Sequence, residues 1–231
     1  MIVFGASDMT KAYVGSTEGS KAYLGDELVW GGGSPVLPYD AEVEYLESSG
    51  TQEIDTGVVP NANVGVFGTV MRLNGDGGTN DKIFLGCTEN GLYAGGKGFG
   101  VAFTTGFYMY NTFVRPITSP AIDSLTTFSM NYLNDNVGGF NGEYVTLQTK
   151  IGDYTNKSIR LFNFYQRDNT HSKYAVTKVR FYNVKFSVEE NLVRDFIPVR
   201  VSQVGYMYDK VSGQLFGNSG TGSFTLGPDV I

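Results

Sequence analysis

From residue 39 onward, short runs of aromatic and β-branched residues alternate with clusters of Gly, Asn and Asp. That punctuation constrains the fold more than any other feature of the chain. Tyr and Phe suit a pleated, half-buried surface, Gly supplies positive φ, and Asx side chains bond their own backbone. With 31 Gly, 15 Tyr and 16 Phe in 231 residues, the spacing predicts many short antiparallel strands joined by tight turns. Among them are Val43–Glu47, Val64–Leu73, Lys82–Cys87, Phe107–Val114, Thr126–Leu133, Tyr144–Gln148, Ala175–Phe186, Asp195–Val199 and Gly205–Tyr208. Asp209–Gly213 reads as a turn. No segment sustains helical periodicity; at most Ser187–Asn191 could form a single helical turn, capped by Ser187 with Glu190 three residues on. The expectation is an all-β chain, an antiparallel β-sandwich.

The formal charge is -6 and charged residues are 17% of the chain. A polyphosphate is repelled on average, which argues against a nucleic-acid partner. Cys87 is the only cysteine, so no intrachain disulfide forms, and its apolar neighbours mark it as a small buried hydrophobe. Met1–Gly5 lacks the basic and apolar regions of a signal peptide. No apolar run approaches the ~20 residues of a bilayer span. Synthesis in a cytoplasm without membrane insertion is expected.

Two related segments occupy the first thirty residues. Thr10-Lys11-Ala12-Tyr13-Val14-Gly15-Ser16 recurs as Ser20-Lys21-Ala22-Tyr23-Leu24-Gly25-Asp26, and Glu27-Leu28-Val29-Trp30 follows. Each copy alternates polar and apolar residues and ends on Gly, as a short strand entering a turn does. An isolated hairpin is marginal in water, so the faces carrying Tyr13, Tyr23 and Trp30 must pack on the main domain or on another chain. Gly31-Gly32-Gly33-Ser34-Pro35 is a flexible joint. The domain reading is residues 1–30 as an N-terminal β repeat, 31–38 as linker and 39–231 as the sandwich.

Two blocks carry a family resemblance. The first runs from Val43 to Gly57 and contains Glu44-Tyr45-Leu46-Glu47-Ser48-Ser49-Gly50. The second holds Leu192–Arg200, Gly205–Lys210, Asn218–Phe224 and Gly227-Pro228-Asp229-Val230. Their order resembles the laminin-G-like, concanavalin A-like domains of tail, fibre and head-decoration proteins of phages and prophages. The resemblance implies a jelly-roll sandwich and a non-enzymatic virion component made in the host bacterial cytoplasm. It further implies an N-terminal hairpin anchor through Tyr13, Tyr23 and Trp30, other virion proteins as partners, a homo-oligomer such as a trimer, and host-surface glycan as a ligand. A module that contacts only other virion proteins is the alternative.

Several constellations bear on chemistry. Glu42, Glu44 and Glu47 nearly match a glycosidase pattern whose retaining mechanism needs two carboxyls about 5 Å apart. The central Asp of that pattern is replaced by Glu, and the segment lies in the domain's first strand, so a solvated edge is the better reading. Gly91–Gly98 approaches a phosphate-binding loop but lacks the hydroxyl after Lys97 and a following helix, which makes it a turn. His171, the single histidine, reads as a surface residue. Laminin-G-like domains often hold one calcium, which takes roughly six to eight oxygens; Asn74, Asp76, Asn80 and Asp81 are the candidate ligands, and no other cofactor is expected. Arg194, Asp195 and Arg200 read as structural ion pairs. For ligand binding the best candidates are Tyr108 and Tyr110, placed on one face of a strand by alternation, with the Asn134-Asp135-Asn136 loop.

Overall fold

The structure is a computed structural model. It describes residues 37–60, 63–75, 82–88, 98–104, 106–109, 112–116, 118–131, 136–147, 156–164 and 178–230, with 108, 109, 112 and 113 as backbone only, and the backbone of 12–14, 17–19, 21–24 and 27–31. The chain divides into two compact units, Met1–Leu37 and Pro38–Ile231. In the first, β1 (Ala12–Val14) pairs with β2 (Thr17–Gly19), and β3 (Lys21–Leu24) with β4 (Glu27–Gly31). Each copy of the repeat therefore opens its own hairpin, two where a single hairpin was expected.

The second unit begins with β5 (Ala41–Glu42), β6 (Leu46–Ser48), β7 (Ile54–Asp55), β8 (Val64–Arg72), β9 (Ile83–Thr88) and β10 (Gly98–Ala102). Next come β11 (Gly106–Met109), β12 (Thr112–Val114), β13 (Leu125–Asn131), β14 (Val137–Phe140), β15 (Glu143–Thr146) and β16 (Arg160–Leu161). The last strands are β17 (Val179–Val188), β18 (Asn191–Val201), β19 (Val204–Asp209), β20 (Gln214–Phe216) and β21 (Thr225–Leu226). Among the described residues there is no helix. The smaller sheet has the order β12-β11-β10-β9-β16-β7, and the larger β15-β14-β13-β8-β17-β18-β19-β20, with β5, β6 and β21 attached. Every pairing is antiparallel.

Rings from both sheets meet in one core. Phe84 of the smaller sheet lies 5.1 Å from Phe128 and 5.9 Å from Phe181 of the larger, and Phe162 lies 4.7 Å from both Phe181 and Phe224. At another point Phe107 meets Phe140 at 5.2 Å. Gly138 makes that contact possible, because a Cβ there would lie 2.6 Å from the Phe107 ring. Each such buried ring contributes about 1.5–3 kcal/mol.

Two strand expectations and one helical turn are corrected. Val43–Glu47 is not one strand: β5 pairs with β18, whereas β6 pairs with β17 and β21. The long hairpin β17–β18 splays at its open end, so the incoming chain changes partner between Glu42 and Leu46. Phe107–Val114 is likewise two strands, with Met109 opposite Thr112. Ser187–Asn191 is a hairpin, not a helical turn. Ser187 and Val188 continue the ladder with β8, and Glu189 (φ 51) and Glu190 (φ 68) make a two-residue turn with the signature of type I′. The hairpin β14–β15 uses the better-suited Asn141 (φ 52) and Gly142 (φ 84).

Asp209, fully buried, organises the turn expected at Asp209–Gly213. Its Oδ1 accepts from the N–H groups of Asp195 (2.8 Å) and Val211 (3.1 Å), and its Oδ2 from the hydroxyl of Ser212 (2.7 Å). The expected ion pairs are present: Asp195 with Lys185 at 2.9 Å, Arg194 near Asp209 at 3.7 Å, and Arg200 with Asp229 through two bonds of 2.7 and 2.6 Å.

Two outcomes follow for stability. Asp209→Ala, which leaves Asp195 N–H and the Arg194 guanidinium without their buried acceptor, lowers the free energy of unfolding by about 3 kcal/mol in urea titrations. Replacing Glu189-Glu190 by Asn-Gly, residues that adopt positive φ with little strain, raises it by about 1 kcal/mol at an unchanged m-value.

Candidate functional site

Strand parity gives the larger sheet two different faces. Along β8, Val64, Val66 and Val70 are buried in the core while Phe67 points away from it and is 46% exposed. The register then sets a row across the outer face: Tyr144 opposite Gly139, Gly139 opposite Ser129, Ser129 opposite Phe67, and Phe67 opposite Lys185. The neighbouring row places Thr127 opposite Thr69 and Thr69 opposite Asn183.

These rows frame an open groove of about 230 Å³. Phe67 and the 55% exposed Tyr144 are its walls. Its floor is made of short side chains, Thr127, Ser129 and Gly139. Gly139 is required there: a Cβ would fall 2.5 Å from the Tyr144 ring and 2.4 Å from the Glu143 carbonyl oxygen. The Tyr144 ring therefore lies across the glycine towards β13. At one end Asn141 pins the β14–β15 turn, its Oδ1 accepting the Thr127 N–H at 2.9 Å, which leaves the amide Nδ2 as a donor. The side chains of Thr69, Ser129 and Asn183 make no hydrogen bond to another described residue. Their hydroxyl and amide groups are open to a ligand.

Among the described residues no Asp, Glu, Lys, Arg or His lines the groove. The charge next in register, Lys185, is held by Asp195. The site therefore combines flat apolar surface with uncharged donors and acceptors, chemistry suited to orienting a hydroxyl-rich ring.

The described sequence candidates, Tyr108 and Asn136, are not among the residues that line the groove. Tyr108 stands on β11 of the smaller sheet, opposite Gly100 and Phe113. Tyr110, Asn134 and Asp135 lie outside the described residues. Asn136 (φ 46) closes the approach to β14 by accepting the Leu147 N–H at 2.6 Å. Because Phe107–Val114 is two strands, alternation no longer ties Tyr110 to Tyr108. Tyr13, Tyr23 and Trp30 lie on β1, β3 and β4, with their side chains outside the description.

The carboxylates and metal candidates are committed locally or undescribed. Glu42 accepts the Tyr39 hydroxyl at 3.1 Å, Glu47 binds Arg180 at 2.7 Å, and Glu44 is exposed at the break between β5 and β6. The Oδ1 of Asn74 accepts the N–H of Gly75 at 2.8 Å; Asp76, Asn80, Asp81 and His171 lie outside the described residues. Among the described residues no three His, Cys, Asp or Glu side chains converge. Cys87 is fully buried, and that burial pushes its thiol far above the ordinary range.

The groove is not singled out by local pattern, because its residues lie on separate strands that only the sheet register brings together. Phe67 occupies the opposite parity to Val64, Val66 and Val70, and Asn141-Gly142 is a strong hairpin signal; together they locate both walls. Comparison with protein-family models, curated proteins and solved structures returns no match.

One titration bears on this face. Burial, followed by the hydrogen bond to Glu42, pushes the Tyr39 phenol up to about 12 from 10.0. Between those values the unfolded chain releases a proton that the folded chain keeps. This contribution to stability is complete below pH 10 and is lost as pH rises towards 12. Chemical denaturation across that window should show a shallower decline for Tyr39→Phe than for the parent.

Proposed function

We propose that the protein is a non-enzymatic structural component of a phage particle, in a fibre, tail or head decoration. Its larger unit is a laminin-G-like β-sandwich of jelly-roll type that presents the outer face of the larger sheet to host-surface glycan. The observation that carries the binding role is the groove itself: two exposed aromatic walls beside the uncharged side chains of Thr69, Ser129 and Asn183, which have no partner among the described residues. Sugars place apolar C–H faces against aromatic rings and hydroxyls against such groups.

The virion assignment rests on the resemblance carried by the two sequence blocks, and their pairing supports treating them as one motif. Thr221 N–H donates to Thr51 carbonyl, Ser219 N–H to Glu53 carbonyl and Gly227 N–H to Tyr45 carbonyl, each at 2.9 Å. The hairpins of the first unit serve attachment to other virion proteins or to further copies of the chain, since two-stranded hairpins are marginal alone. Exposed Leu125 and Leu192 favour a second reading, in which this face packs only against virion neighbours.

Glycan-array binding of the purified full chain, compared with Phe67→Ala and Tyr144→Ala, separates the two. Retention of host polysaccharide that drops at least tenfold in both variants, about 1.4 kcal/mol, supports attachment. No retention by the parent, together with loss of particle incorporation in the variants, supports the assembly reading instead.

A further inference from the structure

We infer that the groove is one end of a longer track, and that its ligand is an internal stretch of a linear, neutral polysaccharide rather than a single terminal sugar. The inference rests on the glycan-binding reading and names the ligand class for the same face. The device that creates the track is a β-bulge. In β17, Phe181 pairs with Val70 and Asn183 with Thr69, so Tyr182 is an extra residue. Phe181 and Val184 both point into the core. The inserted Tyr182 therefore joins Arg180 and Asn183 on the outer face. Bulges re-aim side chains in this way next to functional sites.

Tyr182 connects the groove's amide to a second aromatic platform. Its hydroxyl approaches the Met71 sulfur at 3.9 Å, and its ring lies 5.6 Å from that of Tyr45 at 59°. Arg180 completes this layer, with its guanidinium 4.2 Å above the Tyr45 ring and its Nε 2.7 Å from Glu47. The cation is thus matched by a carboxylate, and with the exposed Glu44 acting on Tyr182 nearby the platform presents flat surface without excess positive charge. From Phe67 to Met71 along β8 is four residues, about 14 Å of strand, which is longer than one sugar ring. The intervening Thr69 and Asn183 supply unpaired polar groups along the way. Neutral, amide- and hydroxyl-bearing surface between two aromatic platforms fits successive rings of an uncharged chain. An acidic polymer would meet no free cation among the described residues along this track, on a protein of net charge -6.

The test uses the full chain and an array of linear neutral glucans, galactans, mannans and N-acetylhexosamine oligomers of one to six units, with uronic-acid oligomers as controls. Affinity should rise about tenfold or more from monomer to tetramer on the recognised series. Tyr182→Ala should reduce tetramer affinity to near that of the short ligand while leaving the short ligand's own affinity intact, a split that misfolding cannot produce. Phe67→Ala should weaken both. Binding independent of chain length, or equal losses for short and long ligands in Tyr182→Ala, overturns the track while leaving glycan attachment standing. Equal or tighter binding of the uronic-acid series overturns the neutral-ligand assignment. No binding by the parent to any oligomer removes both readings.

Discussion

The contact of Phe84 with Phe128 and Phe181 is the constraint from which the other features follow. It joins the two sheets at ring separations of 5.1 and 5.9 Å, and it fixes which parity of each strand faces inward. In a β-sheet the side-chain period is two, so a slip of one residue would turn every outward group into the core. Once Phe128 and Phe181 are committed to the interior, Thr127 and Ser129 must face out, and with them Phe67 and Thr69 through the register of β13 and β8. The groove is therefore a consequence of the core: the same phase that buries phenylalanine exposes hydroxyls and amides.

A second consequence concerns how the chain closes on itself. The hairpin β17–β18 is continuous at its turn and splayed at its open end, where β5, β6 and β21 enter. Strands near the start and the end of the larger unit are thus paired in one place, with Leu46 opposite Leu226 and a bridge between Val43 and Asp229. Asp209 holds the adjoining turn by accepting hydrogen bonds from both sides of it. Gly205 lies beneath this closure, where a Cβ would come within 2.6 Å of Leu46. Non-local pairing of this kind couples the sheet's wedge to its long hairpin, so the outer face rests on a fixed frame.

Much of the architecture was legible in the sequence because it is local. Val64–Leu73 became β8 nearly as bounded, Gly205–Tyr208 lies within β19, and the Asp209 turn follows from its residue types. What failed was information that local pattern does not hold. Glu42 to Glu47 alternates well enough for one strand, yet it breaks because its two halves serve different partners. Glu189 and Glu190 carry no turn signature, and only the long ladders on either side force them to positive φ. The groove on the outer face was less legible for a different reason. Alternation within one segment singles out Tyr108 and Tyr110, whereas the groove is assembled from separate strands, and a half-exposed Phe67 among buried valines is a quieter signal.

The chemistry of the outer face argues that its composition is not a by-product of solubility. A solvent-facing sheet is ordinarily kept soluble by charge, with Lys and Glu interspersed along its strands. Here the charges that occur are paired into local bridges, Lys185 with Asp195 and Arg180 with Glu47. Tyr144, Tyr182 and Phe67 occupy positions that Lys or Glu could fill at no cost to the core. The bulge at Tyr182 sharpens the point. Inserting a residue disrupts the ladder between β17 and β8, and the core gains nothing from it, since Phe181 and Val184 keep their inward places on either side. What it adds is one more ring on the outer face, between the groove's amide and the Tyr45 platform, where it packs against Tyr45 and Met71 instead of the core.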